Sequence, residues 1–237
     1  MILPNKNEAL HKTMLYRLLI NILDSPPLAQ QLYFKGGTAA AMLGWLDRFS
    51  LDLDFDLKPQ ANKLAIERLL EKLLKHLNFI VKEKAPNELF YVLKYTAPSN
   101  KQHLLKLSIV SALTKANRYQ PYLLSEINRY CLCQTPETMF ANKLVALTDR
   151  YQKHQVIAGR DLYDIHHFLL SGFSYSHEVI KERTDQEATK YLQKLRSFIR
   201  ENITQQVIDE DLNYLLPAAK FKAIRKTLVA ETLSILV

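Results

Sequence analysis

The stretch LDLDFDL, residues 51–57, alternates an apolar residue with an aspartate at every step. A period of two belongs to a strand, because successive side chains leave a strand on opposite faces. Leu51, Leu53, Phe55 and Leu57 then enter a core. Asp52, Asp54 and Asp56 share the other face, with neighbours about 7 Å apart by strand rise. Aspartate is disfavoured in strands, and like charges on one face repel further. A cation on that face offsets the repulsion. Carboxylate oxygens suit Mg²⁺, which keeps several waters and takes one or two carboxylates together with substrate phosphates. Phosphoryl and nucleotidyl transfer use such an arrangement, with the metal neutralising charge in the transition state.

Just upstream, Gly36 and Gly37 stand side by side in a chain with only 5 glycines. QLYFKGG reads as a short strand entering a turn, and TAAAMLGWL as a helix with Thr38 as its N-cap. A glycine turn at a helix start exposes backbone N–H groups at a positive helix end, where phosphate can bind. Lys35 adds a positive charge, and Arg48 and Ser50 precede the acids. Gly-Gly is often a plain turn, and D-x-D occurs on solvent faces. Joined in one strand–turn–helix–strand unit, they supply the phosphate cradle and metal strand that a nucleoside triphosphate needs.

The rest of the chain frames this unit. Residues 7–24 and 61–77 have helical apolar spacing. NFIVKEK, ELFYVLKY and HLLKLSIVS read as three strands, separated by turns at Pro86-Asn87 and at 98–100. Thr135 and Pro136 open a helix as N-cap and first helical residue. DLYDIHHFLL, the stretch 175–205 and PAAKFKAIRKTLVAETLSIL complete a helical C-terminal half. The expected architecture is α/β (α+β): a mixed sheet flanked by helices over residues 1–130, then a helical domain over 131–237.

Charge is distributed unevenly. Residues 1–125 hold 17 Lys and Arg against 10 Asp and Glu, and residues 126–237 hold 15 against 14. The basic excess therefore lies in the half that carries the aspartate row, and it favours a polyanionic partner. No apolar run approaches the roughly 18–20 residues of a membrane span, and MILPNKNEAL lacks the pattern of a signal peptide. Cys131 and Cys133 are too close for an ordinary disulfide and lack zinc-ligand spacing, which suits thiols in a reducing cytoplasm.

KGGTAAAMLGWLDRFSLDLDFDL resembles the nucleotidyltransferase fold, and more narrowly the AbiEii/AbiGii toxin family of bacterial nucleotidyltransferases. That family's segment runs K-G-G-T-A-L, a helix, then R-x-S-x-D-L-D-F. Lys35, Gly36, Gly37, Thr38, Arg48, Ser50, Asp52 and Asp54 fill those positions. The second family block is matched by ANKLVALTDRY and GRDLYDIHHF, through Lys143, Arg150, Arg160, Asp161 and Asp164. The resemblance covers roughly residues 30–170. It implies Mg²⁺-dependent transfer of a nucleoside monophosphate from an NTP, by the toxin of a toxin–antitoxin (abortive infection) pair, onto an RNA such as tRNA. It also implies an antitoxin encoded nearby.

By the resemblance, Asp52 and Asp54 ligate the metal, and Gly36, Gly37 and Thr38 hold the triphosphate with Lys35, Arg48, Ser50, Arg150 and Arg160. Lys143 shares a helix face with Leu147 and Arg150 by spacing. Asp161 and Asp164 either orient Lys143 or deprotonate the acceptor; without the resemblance, this block reads as an ion-pair network between two helices. One departure stands out: where the fold usually carries a third carboxylate, this chain has Ser108. Two other readings stay open, a nucleotidyltransferase acting on a small molecule or protein, and a non-catalytic nucleotide-binding module.

Overall fold

The aspartate strand lies at the middle of a seven-stranded mixed sheet. A computed structural model describes residues 1–97, 103–111 and 114–236. After a 3-10 turn at Lys6–Glu8, the elements run α1 (Ala9–Leu23), α2 (Pro26–Ala29), β1 (Leu32–Lys35), α3 (Gly36–Met42) and β2 (Asp52–Leu57). Next come α4 (Lys63–His76), β3 (Ile80–Lys84), β4 (Leu89–Lys94), β5 (Leu104–Ser111), β6 (Tyr119–Leu124) and β7 (Arg129–Gln134). Seven helices complete the described chain: α5 (Pro136–His154), α6 (Gly159–Leu170), α7 (His177–Thr184), α8 (Ala188–Asn202), α9 (Gln205–Leu212), α10 (Ala218–Ile224) and α11 (Leu228–Ile235).

The strand order is β3-β4-β5-β2-β1-β7-β6. β2 runs antiparallel to β1 and parallel to β5, and β1 runs parallel to β7. The alternation of β2 resolves as expected: Leu53, Phe55 and Leu57 are buried. On that face α1 packs on β2 and β7 and against α4. Leu15, Leu18 and Ile22 of α1 and Leu70 and Leu74 of α4 join the same core. Each such side chain contributes about 1.5–3 kcal/mol by leaving water.

The helical half stacks outward from α5, which contacts α3, α6, α7 and α8, while α9 and α11 pack on α6. A backbone bond from Phe49 N–H to Leu215 O, 2.9 Å, ties the entrance of β2 to the segment after α9. The helices thus sit over the start of the aspartate strand.

Three expectations need correction. The helix after the glycine pair begins at Gly36, with Lys35 as N-cap, so Thr38 lies inside it. β7 crosses residue 130, so the sheet unit closes at Gln134 and the helical half opens at Pro136. There Thr135 caps the backbone N–H of Thr138 as its position predicts. β6 and β7 are both additional strands, and β6 is hidden in sequence by Pro121. A proline cannot donate to a ladder and is tolerated on an edge strand, which β6 is. The turn expected at 98–100 lies outside the described residues.

Candidate active site

Asp52 and Asp54 project from the open face of β2, half-buried. Among the described residues, neither carboxylate makes a hydrogen bond or ion pair. Burial pushes Asp54 up to about 6, the Asp52 charge adds to this, and Lys35, Lys143 and Arg160 oppose it. Asp56 is different, for it is buried and fully partnered. It accepts from Lys35 Nζ at 2.6 Å, Tyr119 Oη at 2.8 Å and Gln134 Nε2 at 2.8 Å. The three aspartates share a face but not a state. Two are bare, and the third anchors Lys35 at the cleft wall.

The glycine turn is shaped by this strand. Gly36 has φ +79°, and a Cβ there would lie 2.6 Å from Asp54 Oδ2. A Cβ on Gly37 would lie 2.8 Å from Arg48 Nη2 and 3.0 Å from Ser50 Oγ. Thr38 is fully buried and hydrogen-bonds Ser50 Oγ at 2.8 Å and the Asp52 carbonyl at 2.5 Å. The polar groups of Thr38 and Ser50 are thus used within the protein, where they brace the turn against β2. Gly36→Ala is expected to cost about 1–2 kcal/mol for the left-handed backbone alone. It also displaces the Asp54 carboxylate, and with it at least tenfold of the activity. A thermal melt and a labelling assay check both.

The second motif block converges on the same place from α5 and α6. Asp164, completely buried, takes a bidentate pair from Arg48, Nε to Oδ1 at 2.5 Å and Nη2 to Oδ2 at 2.7 Å. Lys143 Nζ lies 2.8 Å from Asp164 Oδ2 and 3.5 Å from Asp161 Oδ1, and Arg150 Nε lies 3.2 Å from Asp161 Oδ2. Burial would raise Asp164, but the charges and hydrogen bonds of Arg48 and Lys143 outweigh it and hold the group down at about 2. Arg48 is therefore structural in its contacts, welding the loop before β2 to α6. Arg160 pairs loosely with Asp211, 3.8 Å, and also interacts with the Tyr214 hydroxyl. Leu147 is buried in the core; the cleft-facing stripe of α5 is Asn142, Lys143, Ala146, Asp149, Arg150 and Lys153.

These residues line two lobes of a cleft. The larger, about 600 Å³, lies between Lys35, Gly36, Asp56 and the α5 stripe. The smaller, about 260 Å³, lies between Asp52, Lys106, Ser108, Arg160 and Tyr214. Asp54, Lys143, Arg150 and Asp161 line both. Ser108 sits in register beside Asp54 on the adjacent strand. No group of three or more His, Cys, Asp or Glu placed to hold a metal occurs among the described residues. The bare pair of carboxylates, one of them pushed up by burial and then by its neighbour's charge, still fits an ion such as Mg²⁺ that completes its shell with water and phosphate oxygens. Cations around them supply an anion-attracting wall.

Sequence reasoning missed Lys106, Phe90 and Tyr214. Lys106 stands two residues from Ser108, so strand alternation places it on the same face. Tyr214 comes from the far end of the chain, and no local pattern marks it. His166 and His167 stay outside the cleft, against Glu231 and Asp47.

Comparison with known proteins places this geometry. The profile of the nucleotidyl transferase AbiEii toxin family, of type IV toxin–antitoxin systems, matches residues 17–234. No protein of curated function matches the chain. The fold is similar to that of JHP933 from Helicobacter pylori, with TM-score 0.57 and 20% identity over 98% of this chain and 93% of that one. A second H. pylori structure gives TM-score 0.59 at 20% identity, over 98% and 96%. MenT4, a nucleotidyltransferase toxin of Mycobacterium tuberculosis, gives 0.53 at 17% identity, over 95% and 84%. At these identities the structural matches establish the fold.

Proposed function

Because the chain belongs to the nucleotidyl transferase AbiEii toxin family, we propose that it transfers a nucleoside monophosphate from an NTP to an RNA acceptor, tRNA, in a Mg²⁺-dependent reaction. The observation that carries this is the bare Asp52–Asp54 pair, Asp54 lining both lobes and Asp52 the smaller, in a cleft also lined by Lys35, Lys143, Arg150, Arg160 and Lys106. Two carboxylates without a cation are poorly placed in a folded protein unless a cation comes with the substrate. When bound, Mg²⁺ would neutralise the phosphate oxygens and activate the acceptor hydroxyl.

Asp52 and Asp54 hold the ion. Gly36 keeps the backbone low beside Asp54 and Gly37 beside Arg48 and Ser50, so that a triphosphate can approach, and Lys35, fixed by Asp56, meets its charge. Lys143 and Arg150 lie where negative charge develops on the transferred phosphoryl group. Thr38, Ser50 and Arg48 brace these groups through their contacts inside the protein, and Ser50 and Arg48 also line the smaller lobe. Asp164, held ionised between two cations, orients Lys143 and is a poor proton acceptor. The toxin acts in the cytoplasm, where tRNA and NTPs are found, and is restrained by a cognate antitoxin. No described helix is long and apolar enough to cross a membrane.

The test is to incubate the protein with total tRNA, Mg²⁺ and each of the four labelled NTPs, with EDTA and Asp52→Ala controls. Label on tRNA from one or two NTPs, lost in both controls, is the expected result. Label appearing instead on a protein or small molecule would replace the acceptor. Absence of any Mg²⁺-dependent NTP turnover would remove the catalytic reading.

A further inference from the structure

We propose that the two lobes divide the reactants. The larger lobe takes the nucleoside triphosphate. The smaller takes the terminal nucleotide of a single-stranded RNA end, its base against Phe90 and Tyr214 and its phosphates against Lys106 and Arg160. This assignment rests on the nucleotidyl-transfer reading above.

The chemistry requires two sides. The acceptor oxygen bonds to the α-phosphorus while the bond to the bridging oxygen breaks opposite it. Pyrophosphate leaves with the electron pair, and the hydroxyl proton passes to water. Attacking and leaving oxygens lie roughly in line, so donor and acceptor approach the phosphorus from opposite directions. Asp54, Lys143, Arg150 and Asp161 line both lobes, which sets the reacting atom at their boundary and leaves one lobe for each reactant.

Size and lining decide which is which. The larger lobe has more than twice the volume and carries no aromatic side chain. The smaller lobe carries two, Phe90 and Tyr214. Tyr214 is 44% exposed, so its ring face is open to a ligand in the cleft. Unpaired bases of single-stranded RNA stack on such rings, and cations beside them track the backbone. Lys106 is exposed and makes no ion pair among the described residues. It lies in register with Asp52 on one side and Val92 on the other. Phe90 is in register with Ser108, and Ser108 with Asp54. Phe90 is therefore two strands from the metal carboxylate, about 10 Å by strand spacing, a distance of the order one nucleotide spans.

The experiment is steady-state labelling of tRNA, with RNA and NTP varied separately, for Tyr214→Ala, Tyr214→Phe, Lys106→Ala and Lys153→Ala. All three positions are exposed or surface-facing, so folding is not at issue. Tyr214→Ala is expected to raise KM for RNA about tenfold and leave KM for NTP unchanged, with Tyr214→Phe close to wild type. Lys106→Ala is expected to raise KM for RNA and lower its salt slope by about 0.7. Lys153→Ala, in the larger lobe, is expected to show the opposite split. If wild-type protein labels RNA but Tyr214→Ala and Lys106→Ala leave its KM unmoved, or raise KM for NTP instead, the division of lobes is wrong and the reaction stands. If wild-type protein turns over NTP and labels no RNA, the RNA acceptor and the assignment of the smaller lobe fall together.

Discussion

Asp54→Asn is expected to abolish nucleotidyl transfer while making the metal-free protein more stable. The two effects have one cause. Asp54 is pushed up to about 6 by burial and by the Asp52 charge, so its ionised form is disfavoured by folding. One pKa unit corresponds to 1.36 kcal/mol, which puts the cost of that charge at roughly 2–3 kcal/mol at neutral pH. Asparagine keeps the shape and removes the charge. In EDTA at pH 7.5 the variant should melt higher by roughly 4–12 °C, at about 2–4 °C per kcal/mol for a chain of this size. The folded carboxyl titrates above the unfolded one, so the native state binds the extra proton between about pH 4 and 6. The penalty is full above pH 6, and the gap between variant and wild type closes as pH falls towards 4. Adding Mg²⁺ should raise the wild-type melting point and leave the variant's unchanged. Transfer should fall by roughly a thousandfold, since a catalytic cation supplies several kcal/mol of transition-state stabilisation. A variant that melts lower in EDTA, or retains transfer, would show that Asp54 is a structural carboxylate.

The same residue shows what could be read from sequence. The alternation in LDLDFDL fixed the strand, its buried face and the shared face of the three aspartates. It could not separate Asp54 from Asp56, because that difference comes from Tyr119 and Gln134, supplied by strands far along the chain. The motif blocks predicted which residues gather around the cleft, but not which of them face it. Thr38 matches the family pattern and lies behind the cleft, bonded to Ser50, while Arg48 and Ser50 line the smaller lobe and also make contacts inside the protein. A pattern of residue types records that a group is required, whether for contact with a ligand or for support of the groups that make it. β6 was lost because Pro121 breaks the strand signal, and only its place at the sheet edge makes the proline tolerable. Tyr214 carries no local signal, since it reaches the cleft through the packing of α9 on α6 and the Phe49–Leu215 bond.

Asp164→Asn should destabilise the protein by about 3–5 kcal/mol, because it leaves buried Arg48 and partly buried Lys143 without their counter-charge. At a few degrees per kcal/mol, the melting point falls by roughly 10 °C. Asparagine can still accept a hydrogen bond but cannot neutralise either cation. Linkage gives the effect a direction in pH. The wild-type carboxyl is held down at about 2, below its unfolded value, so its stabilisation is present in full above about pH 4. It is lost as pH falls through 2. The gap between variant and wild type should therefore narrow on acidification, as at Asp54, but here the variant is the less stable protein and the window lies lower, between about pH 4 and 2. Stability and catalysis can then be separated. Replacing the pair together, as Arg48→Met with Asp164→Leu, removes the buried charges at nearly constant volume, and such swaps are often neutral or stabilising. The double variant should regain most of the melting point. It should stay poorly active, because Lys143 loses its 2.8 Å partner and keeps only the longer contact to Asp161. A double variant that recovers transfer along with stability would show that Asp161 alone positions Lys143, and that Asp164 serves only to neutralise the charge of Arg48.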